Sequence, residues 1–336
     1  MKILLFVLLG ILIALIIAVL VLRMVLRKVV SKVAEGIKQI ANDMPPPFKL
    51  KLTPVEGEPE WLAQPEVKRR LDGLKECGFQ VTGVYELEGM FNAYTVGLVQ
   101  PDTHVLGAVH WLKQHACIDL VCRYTDDTTV TYCDHVQGAA FARPPQHAIV
   151  RDDGAAAGAL YQRLLAERRA DVTPVTAGDF VPRFEKAYDE SMVWQAERGG
   201  YTLEEIRAEA LRGTPDGDPQ VIEDIHQKFA GHALTNWLSM QPNRPEPWDE
   251  KEIGLVIVHD DLTMRQVTNL FNEQLEDEVA EADVAGAGAT PREAFAAMNA
   301  KLGGKFVKVG EKTTPRAADF YESAPDPDEE KEEEET

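Results

Sequence analysis

The chain has 336 residues, 45% hydrophobic and 27% charged, so it can bury a substantial core and has the composition of a folded protein. Its formal net charge of -20 argues against a nucleic-acid partner, because binding to phosphates needs clustered lysine and arginine. The four cysteines are too few for a disulfide scaffold in a chain of this length and favour reduced thiols.

The first element in chain order is an apolar run. From Ile3 to Leu22 every residue is apolar or glycine, which is about the number that a helix needs to cross roughly 30 Å of hydrocarbon. A cleaved signal peptide is the alternative, but its apolar stretch is shorter, about 7–15 residues, and small residues follow it. Here Arg23 and Arg27 follow instead. We therefore predict an uncleaved signal-anchor over 1–24 and a single-pass membrane protein.

Charge asymmetry predicts the orientation of this anchor. Only Lys2 precedes the apolar run, whereas five basic residues follow it within 23–38. Basic residues near a span resist translocation, so the body after the anchor is expected in the cytoplasm. The lipid bilayer is the partner that this pattern predicts.

Two patterns near the anchor predict self-association. Gly10, Ala14 and Ala18 form a stripe of small residues along which a second helix could approach. A short heptad seam then runs from Leu26 to Ile40, although 25–47 also fits a basic amphipathic helix on anionic headgroups, ended by a proline linker. We keep a homodimer through these residues as a prediction.

The region 48–150 has the pattern of an α+β domain. Alternating residues at Phe48–Leu52 indicate a strand, and a helix then begins with Pro65 in its first turn and ends at Gly78. Short connections separate the strands that follow, so we predict one helix packed on an antiparallel meander sheet. The predicted strands are Phe79–Leu87, Phe91–Val99, His104–Leu112, Ile118–Tyr124 and Thr128–Val136.

Two of these strands carry a candidate metal site. His115 and Cys117 alternate on one strand, and Cys133 and His135 alternate on the next. An odd number of residues in the connecting turn would bring all four to one face, and an even number would separate the pairs. Two cysteines and two histidines suit tetrahedral zinc, but neither pair has the usual knuckle spacing. The alternative is that the cysteines pack as small hydrophobic residues.

The region 151–310 is predicted to be mainly helical. Helix-starting patterns occur at Thr176, Thr202, Asp218, Thr263 and Thr290. An aromatic stripe that begins at Phe180 and repeats every four residues is expected in a core rather than in a ligand site. The single predicted strand, Glu252–Val258, could add to the first sheet. An acidic, disordered tail is expected over 311–336.

One candidate catalytic cluster lies in this region. His259, Asp260 and Asp261 follow the predicted strand directly, and catalytic groups gather at the carboxyl ends of strands in open α/β sheets. Helix capping by Asp261 or Thr263 is the alternative. Four other histidines are predicted to carry no site. His104 and His110 share a strand face with apolar neighbours and are expected at the surface or core edge, and His226 and His232 point in different directions from one helix.

Two functions of different classes follow. We predict a membrane-anchored binding or scaffold module that faces the cytoplasm, with no cofactor. The alternative is a metal-dependent hydrolase that uses His259, Asp260 and Asp261.

Overall fold

A computed structural model describes residues 46–112, 114–213, 218–241, 255–273, 275, 278–313 and 316–324. All of them belong to one unit of the chain, Pro45–Thr336. This unit is a mixed α+β fold, in which a seven-stranded sheet, a three-stranded sheet and several helices are described.

The large sheet follows chain order from its first strand to its last. Its strands are β1 (Leu52–Pro54), β2 (Gln80–Leu87), β3 (Ala93–Gln100), β4 (Val105–Leu112), β5 (His115–Arg123), β6 (Thr129–Cys133) and β7 (His147–Arg151). The five strands predicted after the first helix are confirmed to within a few residues.

The prediction of a purely antiparallel meander is corrected at the last strand. Neighbours from β1 to β6 are antiparallel, but β7 runs parallel to β6. The connection over 134–146 returns the chain to the end at which β6 begins, so β7 enters in the same direction as β6.

Most of the helices begin where the sequence carries capping signals, although those that begin at Ala157 and Glu281 have no side-chain cap. They are α1 (Pro65–Glu76), α2 (Ala157–Glu167), α3 (Phe180–Arg198), α4 (Leu203–Gly213), α5 (Pro219–Ser239), α6 (Met264–Asn272), α7 (Glu281–Ala285) and α8 (Pro291–Lys301). The predicted capping boxes at Thr176, Thr263 and Thr290 are confirmed, because each threonine side chain pairs with the backbone three residues on and the return bond is present. Asp218 accepts a hydrogen bond from Gln220 N at 2.9 Å and caps α5.

Different helices cover the two faces of the large sheet. Helices α1 and α2 cover one face, where the largest apolar core contains Leu74, Ile118 and Leu160, all at 0% exposure. Helix α3 covers the opposite face through Phe180. A Cβ on Gly97 would lie 2.5 Å from the Phe180 ring, so only glycine permits this close approach of helix and sheet.

A second sheet lies in the region predicted to hold one strand. It contains β8 (Val256–His259), β9 (Phe306–Lys312) and β10 (Ala318–Ser323), with β10 in the centre and all neighbours antiparallel. The strand predicted at 252–258 therefore pairs here and not with the first sheet.

The predicted disorder over 311–336 is also corrected, since β9 and β10 extend into it. Phe320 is fully buried in β10, and pairing with both neighbours satisfies the backbone of that strand. The acidic run from 326 onward lies outside the described residues.

The membrane prediction needs a correction as well. Within the described ranges, no helix combines the length and the apolar character required to cross a bilayer. The two longest, α3 and α5, both carry charged side chains along their length. This finding contradicts the predicted single-pass localisation and the assignment of a signal-anchored membrane protein, which we withdraw. The predicted anchor over 1–24 and the proposed dimer contacts at Gly10, Ala14, Ala18 and Leu26–Ile40 lie outside the described residues.

Candidate functional site

A cavity of about 390 Å³ lies between α3 and the face of the large sheet that α3 covers. Its volume is within the range of about 300–1,000 Å³ that ligand pockets occupy. Chain segments outside the sheet and α3 also contribute to it, since Pro46, Val175 and Tyr201 border the space.

The strand register builds the floor of this cavity. Leu106, Val121, Thr131 and Ile149 are consecutive partners across β4, β5, β6 and β7, so their side chains form one row on one face. All four line the cavity. Every side chain in this row is short or branched, which leaves space beneath the helix.

The opposite wall is the aromatic stripe of α3. Phe180, Phe184, Tyr188 and Met192 all border the cavity, with Ala187 between them. The prediction placed this stripe in a core. Phe180 and Met192 are indeed buried, but the stripe also forms the wall of a cavity, which helical periodicity alone does not distinguish.

The charged residues at this cavity are mainly basic. Arg123, Arg143, Arg183 and His147 line it, together with one acid, Asp119. Arg123 pairs with Asp127 at 2.8 Å, and Arg183 pairs with Asp179 at 3.4 Å. The Nη1 atom of Arg183 is nevertheless buried and forms no hydrogen bond among the described residues. Arg183 therefore places a guanidinium, with one donor unpaired among the described residues, at the wall of a largely apolar cavity.

Asp119 links the cavity to a cluster of polar side chains on the same sheet face. Its Oδ2 lies 3.3 Å from Nε2 of His110, and its Oδ1 lies 3.4 Å from Nε2 of His135. Cys133 is the register partner of Asp119 on β6, and its thiol is directed to the carbonyl of His135 at 3.5 Å. One carboxylate is thus held between two imidazoles beside a thiol.

The protonation of this cluster follows from these contacts. Burial opposes the charge of Asp119, but hydrogen bonds from His110 and His135 hold the pKa of its carboxyl well below the usual range. Burial also opposes the charge of His135, and the Asp119 carboxylate outweighs it and raises the pKa of that imidazole. Burial, with the nearby charge of Asp119, raises the pKa of the Cys133 thiol to about 11. A thiol in this state is a poor nucleophile, which counts against a cysteine-based hydrolase.

The structure resolves the register on which the predicted metal site depended. Asp119 pairs with Cys133, so odd-numbered residues of β5 and β6 share a face, and His115, Cys117, Cys133 and His135 all belong to it. The set does not converge as predicted, however. Cys133 and His135 come together with Asp119, whereas His115 is exposed at the start of β5.

The sequence analysis missed two members of this cluster. Asp119 alternates with Cys117 on β5 and could have been found from that spacing alone. His110 is the register partner of Cys117 from β4 and is 5% exposed, contrary to its predicted place at the surface or core edge. Only the pairing of the two strands reveals its contact with Asp119.

The predicted catalytic cluster at the end of β8 is spread over different environments. His259 is buried and borders a second cavity of about 520 Å³. The Asp261 carboxylate forms an ion pair with Arg316 at 2.9 Å, and Asp260 is exposed. Neither aspartate lines that cavity, so the three side chains do not meet at one reacting position.

His259 instead contacts His226 of α5. Their ring centroids are 5.5 Å apart, and both imidazoles are buried. Neither nitrogen of His226 has a hydrogen-bond partner among the described residues. His232, six residues on, donates from its Nε2 to the carbonyl oxygen of Pro46 at 3.1 Å, so the two histidines of α5 do point apart.

Comparison with models of protein families, with curated proteins and with solved structures found no match. The function is therefore argued from the site alone.

Proposed function

We propose that this protein is a binding module for a small amphiphilic anion, which occupies the cavity beneath α3. The observation that carries the proposal is the guanidinium of Arg183, which lines a largely apolar cavity and whose Nη1 atom is buried without a hydrogen-bond partner among the described residues. A buried donor without an acceptor costs about 1–3 kcal/mol, and more when the group is charged. An anionic group of a ligand would remove that cost.

The walls of the cavity support the apolar part of this ligand. The floor row and the aromatic stripe of α3 present mostly hydrocarbon surface, and burying such surface stabilises a complex by about 25 cal/mol per Å². Arg143 lies at the same cavity and adds to its positive charge. A carboxylate with a short hydrocarbon chain matches both features.

Decanoate is a suitable probe, with decanol as the uncharged ligand of equal chain length. We expect the full-length protein to bind decanoate in isothermal titration calorimetry and to bind decanol at least about tenfold more weakly, because one charge-assisted hydrogen bond contributes about 1.5–3 kcal/mol. Arg183→Met should reduce the preference for decanoate to a similar extent while keeping an apolar side chain in place.

A matched control is Arg207→Met, since Arg207 is an exposed arginine on α4 that does not line the cavity. It should bind decanoate like the unmodified protein. The free energy of unfolding of each variant is first measured in urea, because Arg183 also donates to the Pro174 carbonyl at 3.1 Å and its loss could affect the fold. Equal affinity for decanoate and decanol, or unchanged decanoate binding in a folded Arg183→Met variant, would show that the cavity does not select an anion through this residue.

A further inference from the structure

The side chains of Asp119, Cys133 and His135 lie together because of how β5 and β6 pair. Asp119 and Cys133 are direct partners in the antiparallel ladder, and His135 is two residues beyond Cys133, on the same face. One ligand-type atom from each residue lies within 4.8 Å of the other two. The set contains one carboxylate oxygen, one thiol sulfur and one imidazole nitrogen.

We propose that these three residues bind a divalent transition-metal ion of the zinc class. Zinc–ligand bonds of about 2.0–2.3 Å in tetrahedral geometry place ligand atoms about 3.3–3.8 Å apart. The Oδ1 atom of Asp119 and the Nε2 atom of His135 are already 3.4 Å apart. The other pairs of ligand atoms, which lie within 4.8 Å of each other, need to approach by about one ångström. Rotation of the side chains provides a movement of that size.

The donor types favour zinc over the common hard cations. Calcium and magnesium prefer ligand sets made of oxygen, whereas a thiolate beside an imidazole is typical of zinc sites. Binding forms a sulfur–metal bond and releases the Cys133 thiol proton to solvent, while the imidazole donates a lone pair and the carboxylate is already ionised. Each ion bound therefore releases the Cys133 proton, and also the proton of His135 wherever that imidazole is charged before binding.

A second observation points to a missing partner on this sheet face. The Nδ1 atoms of His110 and His135 are buried and form no hydrogen bond among the described residues. Both rings contact Asp119 through their Nε2 atoms and so belong to this cluster. Buried polar atoms without partners indicate an ion or water that belongs at the site.

His110 has the position of a supporting group for the metal site. Its Nε2 lies 3.3 Å from Asp119 Oδ2, the carboxylate oxygen on the side away from His135. Groups that hold the second oxygen of a ligating carboxylate fix its orientation and tune metal affinity. We therefore class His110 as a positioning residue rather than a ligand.

The site also relates to the cavity, because Asp119 lines it. Three protein ligands leave at least one position of a tetrahedral ion for water or for the anionic group of a bound molecule. The metal proposal does not depend on the proposed function, since it is tested with the metal alone. A protein that binds decanoate but no metal would contradict the metal site alone, and a protein that binds metal but no decanoate would contradict the proposed function alone.

The test is a titration of the metal-free, full-length protein with Co²⁺, followed by displacement with Zn²⁺. We expect one Co²⁺ per chain and a thiolate-to-cobalt charge-transfer band in the near ultraviolet. Cys133→Ala should abolish that band and weaken binding at least about 100-fold, and Asp119→Asn should weaken binding at least about tenfold with the band retained. His110→Gln should weaken it less than Asp119→Asn and leave the band in place.

Two matched controls come from the same chain. Cys77→Ala removes a free thiol at the end of α1, and His115→Asn removes the exposed histidine of the sequence-predicted set. Both should bind cobalt like the unmodified protein. Circular dichroism checks the fold of each variant.

The absence of a thiolate band in the unmodified protein would overturn the proposal without any variant. A band that persists in folded Cys133→Ala would also overturn it, because another thiol would then be the ligand. If Cys133→Ala does not fold, the test is His135→Gln. Unchanged cobalt affinity in that variant would show that His135 is not a ligand and would overturn the proposal.

Discussion

The buried histidine pair predicts a specific dependence of stability on pH. His226 on α5 and His259 on β8 are 0% and 1% exposed. Burial, together with the Arg316 guanidinium, lowers the pKa of His226 to about 4 against the opposing charges of Asp261 and Glu223. Burial also holds the pKa of His259 well below its ordinary value, with His226 and Arg316 contributing.

The sign of the effect follows from proton binding in the two states. An unfolded histidine titrates near 6.5, whereas folded His226 titrates near 4, so between these values the unfolded chain binds more protons. The free energy of unfolding is therefore retained above pH 6.5 and falls as the pH drops toward 4. From these two pKa values, the titration of His226 alone should reduce the free energy of unfolding by about 2 kcal/mol between pH 7 and pH 5.

Urea unfolding of the unmodified protein and of His226→Leu, each at pH 7 and pH 5, measures this quantity. The variant should lose about 2 kcal/mol less than the unmodified protein over this interval, because leucine fills the site without a titrating group. At pH 7 the variant should be at least as stable, since it removes two ring nitrogens without hydrogen-bond partners in the described structure.

The choice of pH 5 keeps most carboxylates ionised, so the comparison isolates histidine. His147, whose pKa burial also lowers, and His135, whose pKa Asp119 raises, are present in both proteins and cancel in the difference. His115→Asn is the matched control, because its exposed imidazole contacts water in the folded and unfolded chains alike. The same loss of stability in His226→Leu and in the unmodified protein would refute the reasoning, since the buried ring would then accept a proton without cost.

Three further predictions concern the large sheet and its cavity. Gly97→Val should lower the free energy of unfolding by about 1–3 kcal/mol in urea titrations, because the added side chain must displace the Phe180 ring; an unchanged value would mean that α3 is not seated on this strand. Asp134→Ala should cost about 3–5 kcal/mol by the same assay, since the nearly buried guanidinium of Arg70 loses its carboxylate at 2.7 Å, and a loss below 1 kcal/mol would contradict this. Ala187→Trp should abolish decanoate binding in calorimetry while the protein remains folded, because the indole would occupy the cavity, and retained binding would place the ligand elsewhere.

The strands of the large sheet could be predicted because each is a run of alternating side chains between clear turn residues. The same method failed for β9 and β10. Lys312 in β9 is 1% exposed, although lysine is ordinarily a surface residue. Its ammonium group donates to the Ala196 carbonyl at the end of α3, a contact between residues distant in sequence. A charged residue at a buried position, Lys312 in β9 and Asp319 in β10, interrupts the apolar alternation by which a strand is recognised.

The candidate site could be predicted only in part, for a related reason. Cys133 and His135 stand out by residue type, but the addition of Asp119 depends on the five-residue turn over 124–128, which sets the register of β5 and β6. The contact of His226 with His259 joins a helix to a strand 33 positions later in the numbering. Neither partner carries a local signal of the other.

The difference between the two faces of the large sheet is the strongest argument for placing function under α3. The face beneath α1 and α2 is a continuous apolar core, and it can hold the sheet together by burial alone. The opposite face carries a buried thiol, two imidazoles whose Nδ1 atoms have no hydrogen-bond partner among the described residues, a carboxylate and a cavity. Replacing such polar groups by hydrocarbon would often raise stability by about 1–4 kcal/mol. Selection for stability alone does not maintain an arrangement of this kind, whereas a bound metal or anion would compensate its cost, and we therefore infer that this face is kept for binding.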